Sequence, residues 1–163
     1  WRYIDLLTAK IVYERIDIYS DSGTAYDLFV SHQALIDGLR FAASLTNLGS
    51  EMNLWEQPFD LPTAYRFGAA YEPARGFLAD RTTFAAELFV PQDTNAKAHL
   101  GAEYRLVPAF ALRGGYKINY DTQGMTAGFG VRLSEGFELD YAYQEMTESG
   151  LDDGHKFALN MVW

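Results

Sequence analysis

The sequence contains no cysteine, which excludes disulfides, thiolate metal sites and a thiol nucleophile. It is also short of positive charge. Thirteen Lys and Arg stand against 22 Asp and Glu, leaving a formal net charge of −9. Phosphate backbones are held by clusters of Lys and Arg, so no nucleic-acid partner is expected. No window holds 18 consecutive apolar residues, so hydropathy gives no transmembrane helix. Transmembrane strands are not excluded in this way, because their alternating faces cancel in an average. No segment reads as a long helix, and no linker separates a second domain. The 163 residues suffice for one domain, taken as 1–163. The opening "WRYIDLLTAK" carries neither an initiator Met nor a signal peptide, and reads as the start of a mature product or of a piece of a longer chain.

What the chain does have is aromatic weight and alternation. Eleven Tyr, eleven Phe and three Trp favour sheet. In "HKFALNMVW", Phe157, Leu159, Met161 and Trp163 fall on one side of an extended strand, and Lys156, Ala158, Asn160 and Val162 on the other. "GFELDYAYQ", "GMTAGFGVRL", "FALRGGYKINY" and "AKAHLGAEYRL" repeat the pattern. Less regular alternation predicts strands near 5–15, 22–32, 38–48, 62–72 and 81–91. The expectation is an all-β, antiparallel transmembrane β-barrel with about ten visible strands. Strands of roughly ten residues are long enough to cross a bilayer when tilted. The polar face is rich in Gly and Ala, which suits a crowded lumen better than a solvated surface. A soluble β-sandwich or soluble barrel is the competing architecture.

The connections divide into two alternating sets. One set is mostly short (33–37, 107–108, 134–136, with a longer 73–80). The other (16–21, 49–61, 92–94, 121–123, 147–154) contains the longest and most acidic stretches. Outer-membrane barrels have short periplasmic turns and longer external loops, which places the second set outside. Tyr71, Phe110, Phe137 and Trp163 then fall near the inner rim, and Tyr13, Tyr116, Tyr120 and Tyr143 near the outer rim, as aromatic belts require.

The stretch 38–73, with "TNLG" at 46–49 and "LPTAYRFGAAY" at 61–71, resembles the PorV/PorQ family of outer-membrane proteins, relatives of FadL-type barrels. "AYDLFVSH", "HLGAEYRL" and "FALRGGYKINYDTQGMTAGFGVRL" share that family's texture. The resemblance implies a bacterial outer-membrane protein in contact with outer-membrane lipid. It implies a role in type IX secretion, with secreted cargo or secretion-machinery subunits as partners. A FadL-like channel for hydrophobic small molecules and a structural surface-assembly subunit are the alternatives. Family barrels usually have fourteen strands, so this chain is expected to represent the C-terminal part of a longer barrel. Lys156, Ala158, Met161 and Trp163 are similar to the C-terminal assembly signal of outer-membrane barrels, with Ala158 where Gly is usual.

No catalytic, cofactor or metal site is expected. His32, His99 and His155 lack zinc-site spacing, and "GMTAGFG" lacks the strand-then-helix context of a phosphate loop. Asp152, Asp153 and His155 cluster in "DDGH" and have the residue types of a water-activating pair. A solvated acidic loop is the preferred interpretation, and no enzyme is expected. The polar face carries Arg40, Arg66, Lys97, Glu103, Arg113, Lys117, Glu138 and Asp140, together with Lys10, Glu87, Arg105, Arg132 and Lys156. Their signs interleave, which predicts either a salt-bridge lattice in a narrow lumen or a polar conduit. In the loop 49–61, Met52, Leu54, Trp55 and Phe59 either pack over the barrel mouth or form a docking surface.

Overall fold

Strict alternation of apolar and polar residues leaves each segment one face to bury and one to hydrate, and such segments pair side by side. A computed structural model describes residues 3–54, 57–148 and 150–161. The strands are β1 (Tyr3–Ile16), β2 (Tyr19–Gln33), β3 (Leu39–Gly49), β4 (Met52–Leu54), β5 (Gln57–Phe59), β6 (Ala64–Tyr71), β7 (Thr82–Pro91), β8 (Lys97–Val107), β9 (Phe110–Ile118), β10 (Gln123–Ser134), β11 (Phe137–Met146) and β12 (Gly154–Met161). The described residues contain no helix.

Ten strands form one antiparallel sheet in the order β1-β2-β3-β6-β7-β8-β9-β10-β11-β12, and β4 and β5 form a separate small hairpin. The expected ten-strand sheet is therefore present. Its closure into a barrel is not: among the described residues, β1 and β12 each pair on one side only.

The two sets of connections lie at opposite ends of the sheet. One end carries 34–38, 72–81, 108–109 and 135–136 (the short-turn end). The other carries 17–18, 50–63, 92–96, 119–122 and 147–153 (the long-loop end). The expected loop over 16–21 is reduced to two residues. The flanking strands run longer than their alternation suggested, and Asp17 takes φ 56°, the left-handed conformation that tight hairpin turns need.

Register places the apolar positions of neighbouring strands opposite one another, as in Leu100↔Tyr116, Leu112↔Phe129 and Phe129↔Tyr141. An aromatic ladder crosses this face. Ring centroids are 6.1 Å apart for Phe110–Phe129, 5.2 Å for Phe129–Tyr141 and 5.1 Å for Tyr141–Phe157. Such pairs add about 0.5–1.5 kcal/mol each beyond area burial. Among the described residues nothing covers this face. Leu112 is 45% exposed, Tyr116 52%, Met125 60% and Phe157 73%. Only Ala25, Met52, Leu61 and Ala64 are buried hydrophobic side chains among the described residues.

The "TNLG" stretch is a structural joint. The β2–β3 register shifts between Tyr26 and Leu28, and Asn47 takes φ 60° opposite that shift. The Asn47 N–H donates to Asp27 Oδ1 (2.8 Å), Asn47 Nδ2 donates to the Pro62 carbonyl (2.9 Å), and Thr63 Oγ1 donates to the Asn47 carbonyl (3.0 Å). Lys10 Nζ pairs with Asp27 (2.8 Å) and also donates to Asn47 Oδ1. Gly49 passes so close to β2 that a Cβ would sit 2.1 Å from the Thr24 carbonyl oxygen. The joint turns the chain into 50–63, where Met52 is fully buried against Ala25, Leu61 and Val12.

Candidate functional site: the polar trough

The polar face curves around a trough of about 640 Å³, bounded by residues from β2 through β11. Its floor is a band of small residues. Ala70, Ala85, Gly101 and Gly115 occupy one cross-strand row, and Ala42↔Gly68 and Gly128↔Ala142 occupy the rows beside it. Gly115 is packed by its neighbours, since a Cβ there would meet the Leu100 carbonyl oxygen at 2.8 Å. A Cβ at Gly101 would meet nothing nearer than 3.8 Å, so the space above it is open.

Two polar clusters flank this floor. Toward the short-turn end, Arg113 is the hub. Its Nε donates to Glu103 (2.8 Å), its Nη1 to Asp140, and its Nη2 lies 3.7 Å from Glu138. Arg105 joins Glu103 at 3.1 Å, and Asn160 Nδ2 donates to Asp140 at 2.6 Å, so the lattice reaches from β8 to β12. Toward the long-loop end, Glu87 accepts from Arg66 (2.7 Å) and faces His99 Nδ1 (3.0 Å). A carboxylate can only accept, so Nδ1 carries the proton; in the neutral ring Nε2 then accepts from Tyr120 Oη (2.8 Å). Arg66 lies over the Phe89 ring, 4.1 Å from its centroid.

The eight charges expected in the lumen all lie on this face. Glu103, Arg113, Glu138 and Asp140 are joined in one lattice. Arg66 belongs to the other cluster, and Arg40 pairs with Glu72 at the short-turn rim (2.6 Å). Lys97 and Lys117 both approach the Tyr120 ring. Tyr120 corrects the aromatic-belt expectation: it stands on the polar face. β9 ends at Ile118, and Asn119 takes φ 62°, which breaks the period and turns Tyr120 over. Asn is among the residues that accept this conformation most readily, so the signal was present in the sequence. Phe29 and Phe89 also stand on the polar face, in a row with Ser44 and Arg66. Alternation alone assigns neither to that face, because an aromatic ring does not announce which face it takes.

In the loop, Met52 takes the packing role and Phe59 is exposed. Leu54 pairs with Gln57 in the small hairpin; its side chain, and Trp55 altogether, lie outside the described residues. Of the residues expected to form a C-terminal signal, Lys156 and Ala158 are on the polar face and Met161 faces away in register with Phe137, while Trp163 lies outside the described residues. "DDGH" does not assemble as a pair. His155 Nδ1 meets Tyr141 Oη at 2.9 Å, whereas Asp153 accepts from Tyr143 Oη (2.6 Å) and from the Met146 N–H (2.8 Å). These donors hold the Asp153 carboxyl below the usual carboxylate range, the Tyr143 hydroxyl contributing most. Among the described residues no group of three His, Asp or Glu side chains is placed to hold a metal.

No protein-family model matches the chain, and no curated protein matches it.

Proposed function

We propose that this chain forms the wall of a bacterial outer-membrane β-barrel of the PorV/PorQ type, serving secretion as a surface protein that binds or anchors cargo. The observation that carries the membrane assignment is the bare apolar face, which runs across ten strands and includes Leu112, Tyr116, Met125 and Phe157. Monomeric soluble proteins rarely expose contiguous apolar patches beyond a few hundred Å². Lipid contact supplies the missing partner of this face, and the polar trough becomes the lumen. The connections at the long-loop end become the external surface, with Phe59 exposed there. The secretion role rests on the family resemblance of 38–73.

The membrane assignment is tested by a pair of neighbours in β9. Leu112→Arg puts a charge on the lipid face, at a cost of about 2–4 kcal/mol near the midplane, and is expected to block membrane assembly. Arg113→Leu is expected to leave assembly largely intact; equal effects would sink the assignment. The secretion role is tested by a photocrosslinker at Phe59. Exported proteins should be captured there in living cells and not from Phe77 at the opposite end. Labelling that is absent, or equal at both ends, would remove that role.

A FadL-like channel is the second reading, and the trough itself supports it, since its volume falls in the range of small-ligand sites. Gly101→Phe would fill the open floor. Solute uptake should then fall in a channel, while cargo capture should persist in a secretion protein.

A further inference from the structure

Charge on the trough face of β6–β12 runs against the sign of the whole chain. Seven Lys and Arg side chains meet only four carboxylates there, although the net charge is −9. All four carboxylates are engaged by arginines: Glu87 by Arg66, and Glu103, Glu138 and Asp140 by Arg113. Of the cations left without a carboxylate among the described residues, Arg132 stands alone at the short-turn end. The other three, Lys97, Lys117 and Lys156, gather toward the long-loop end.

Lys97 and Lys117 are held in place without being neutralised. The ammonium groups of Lys97 and Lys117 lie 4.7 and 5.4 Å from the centroid of the same ring, Tyr120. Lys117 Nζ donates to the side-chain oxygens of Gln123 (2.7 Å) and Gln144 (2.9 Å), neutral groups that aim the charge without cancelling it. Lys156 stands on the same face of β12, two residues beyond Gly154, the register partner of the Gln144 that holds Lys117. Like charges gathered on one face raise the local potential and concentrate counter-ions.

We propose that Lys97, Lys117 and Lys156 form a binding site for a small multivalent oxyanion, phosphate or a phosphate monoester, on the polar face beside the trough. Lysine binds phosphate as a mobile point charge, and three such charges from three strands suit a tetrahedral dianion better than a monocarboxylate, which would neutralise only one of them. The proposal requires only the folded sheet; it goes beyond the secretion role and does not depend on it.

The test is titration calorimetry of the folded, detergent-solubilised full chain with inorganic phosphate at low ionic strength. Saturable binding is expected, and Lys97→Gln and Lys117→Gln should each weaken it about tenfold or more. Lys117→Arg, which keeps the charge, should retain most of it. Lys10→Gln, which removes a lysine already paired with Asp27, should change nothing. Lys156→Gln lies on an exposed edge strand and gives a second decision if the interior variants fold poorly: it too should weaken binding. Absence of saturable binding by the parent chain overturns the site. So does binding indifferent to all three lysines, or equally sensitive to Lys10.

Discussion

Asn47 shows how one residue can carry a joint. It accepts a left-handed backbone, donates through its side chain and backbone, and accepts from Thr63, tying β2, β3 and the start of β6 together. A β-branched residue tolerates that backbone poorly, at about 1–3 kcal/mol. Asn47→Val should therefore lower the denaturation midpoint in detergent clearly more than Asn47→Gly, which loses hydrogen bonds but keeps the conformation. Equal losses would mean that the backbone at 47 is not strained. Arg113 carries more charge contacts than any other described residue. Because it is partly solvated, Arg113→Met should cost only about 1–2 kcal/mol, less if Glu103 is replaced by Gln in the same chain. Additive losses in a double-mutant cycle would remove the coupling. Residue types and faces were largely legible in the sequence: all eight charges expected in the lumen lie on the one face where alternation put them. Exceptions arise where the period is interrupted by a local φ, as at Asn119, because a pattern counted in twos cannot register a turn of the backbone.

Strands were legible because each repeats its period over many residues, and the ten predicted segments correspond to the ten strands of the sheet. The β4–β5 hairpin was not, since three residues per strand are too few for a period to emerge. Its placement depends on one fully buried side chain. Met52→Ala should release 50–61 to limited proteolysis while the sheet remains folded, and protection equal to the parent would show that the loop is held by other contacts. The β11–β12 connection has a pH dependence of definite sign. Asp153 is held below its ordinary carboxyl value of 3.8 by Tyr143 and the Met146 N–H. Its contribution is therefore present above that value and is lost as pH falls through the lower, folded one. Hydrogen exchange around 147–153 should accelerate on acidification below 3.8, and Asp153→Asn should abolish this dependence. An unchanged acid profile in that variant would assign the effect elsewhere.

The whole molecule is an inverted object: its small residues and charges line the hollow and most of its large apolar side chains point out. A lipid-facing wall predicts a protein monodisperse only with a bound detergent belt, measured by sedimentation. A monodisperse monomer in plain buffer would contradict it. Closure was not legible from alternation, because pairing at the edges depends on what meets β1 and β12 and not on any pattern within them. The topology has one further consequence. Every strand of the main sheet pairs only with its neighbours along the chain, β3 and β6 being separated only by the small hairpin. Such a sheet is modular: a hairpin can be added or removed at an edge without re-threading any other strand, and the up-down sense is preserved as long as strands come in twos. The circumference of a wall built this way is a property that duplication or loss of a single hairpin can reset, leaving the trough chemistry of the remaining strands in place.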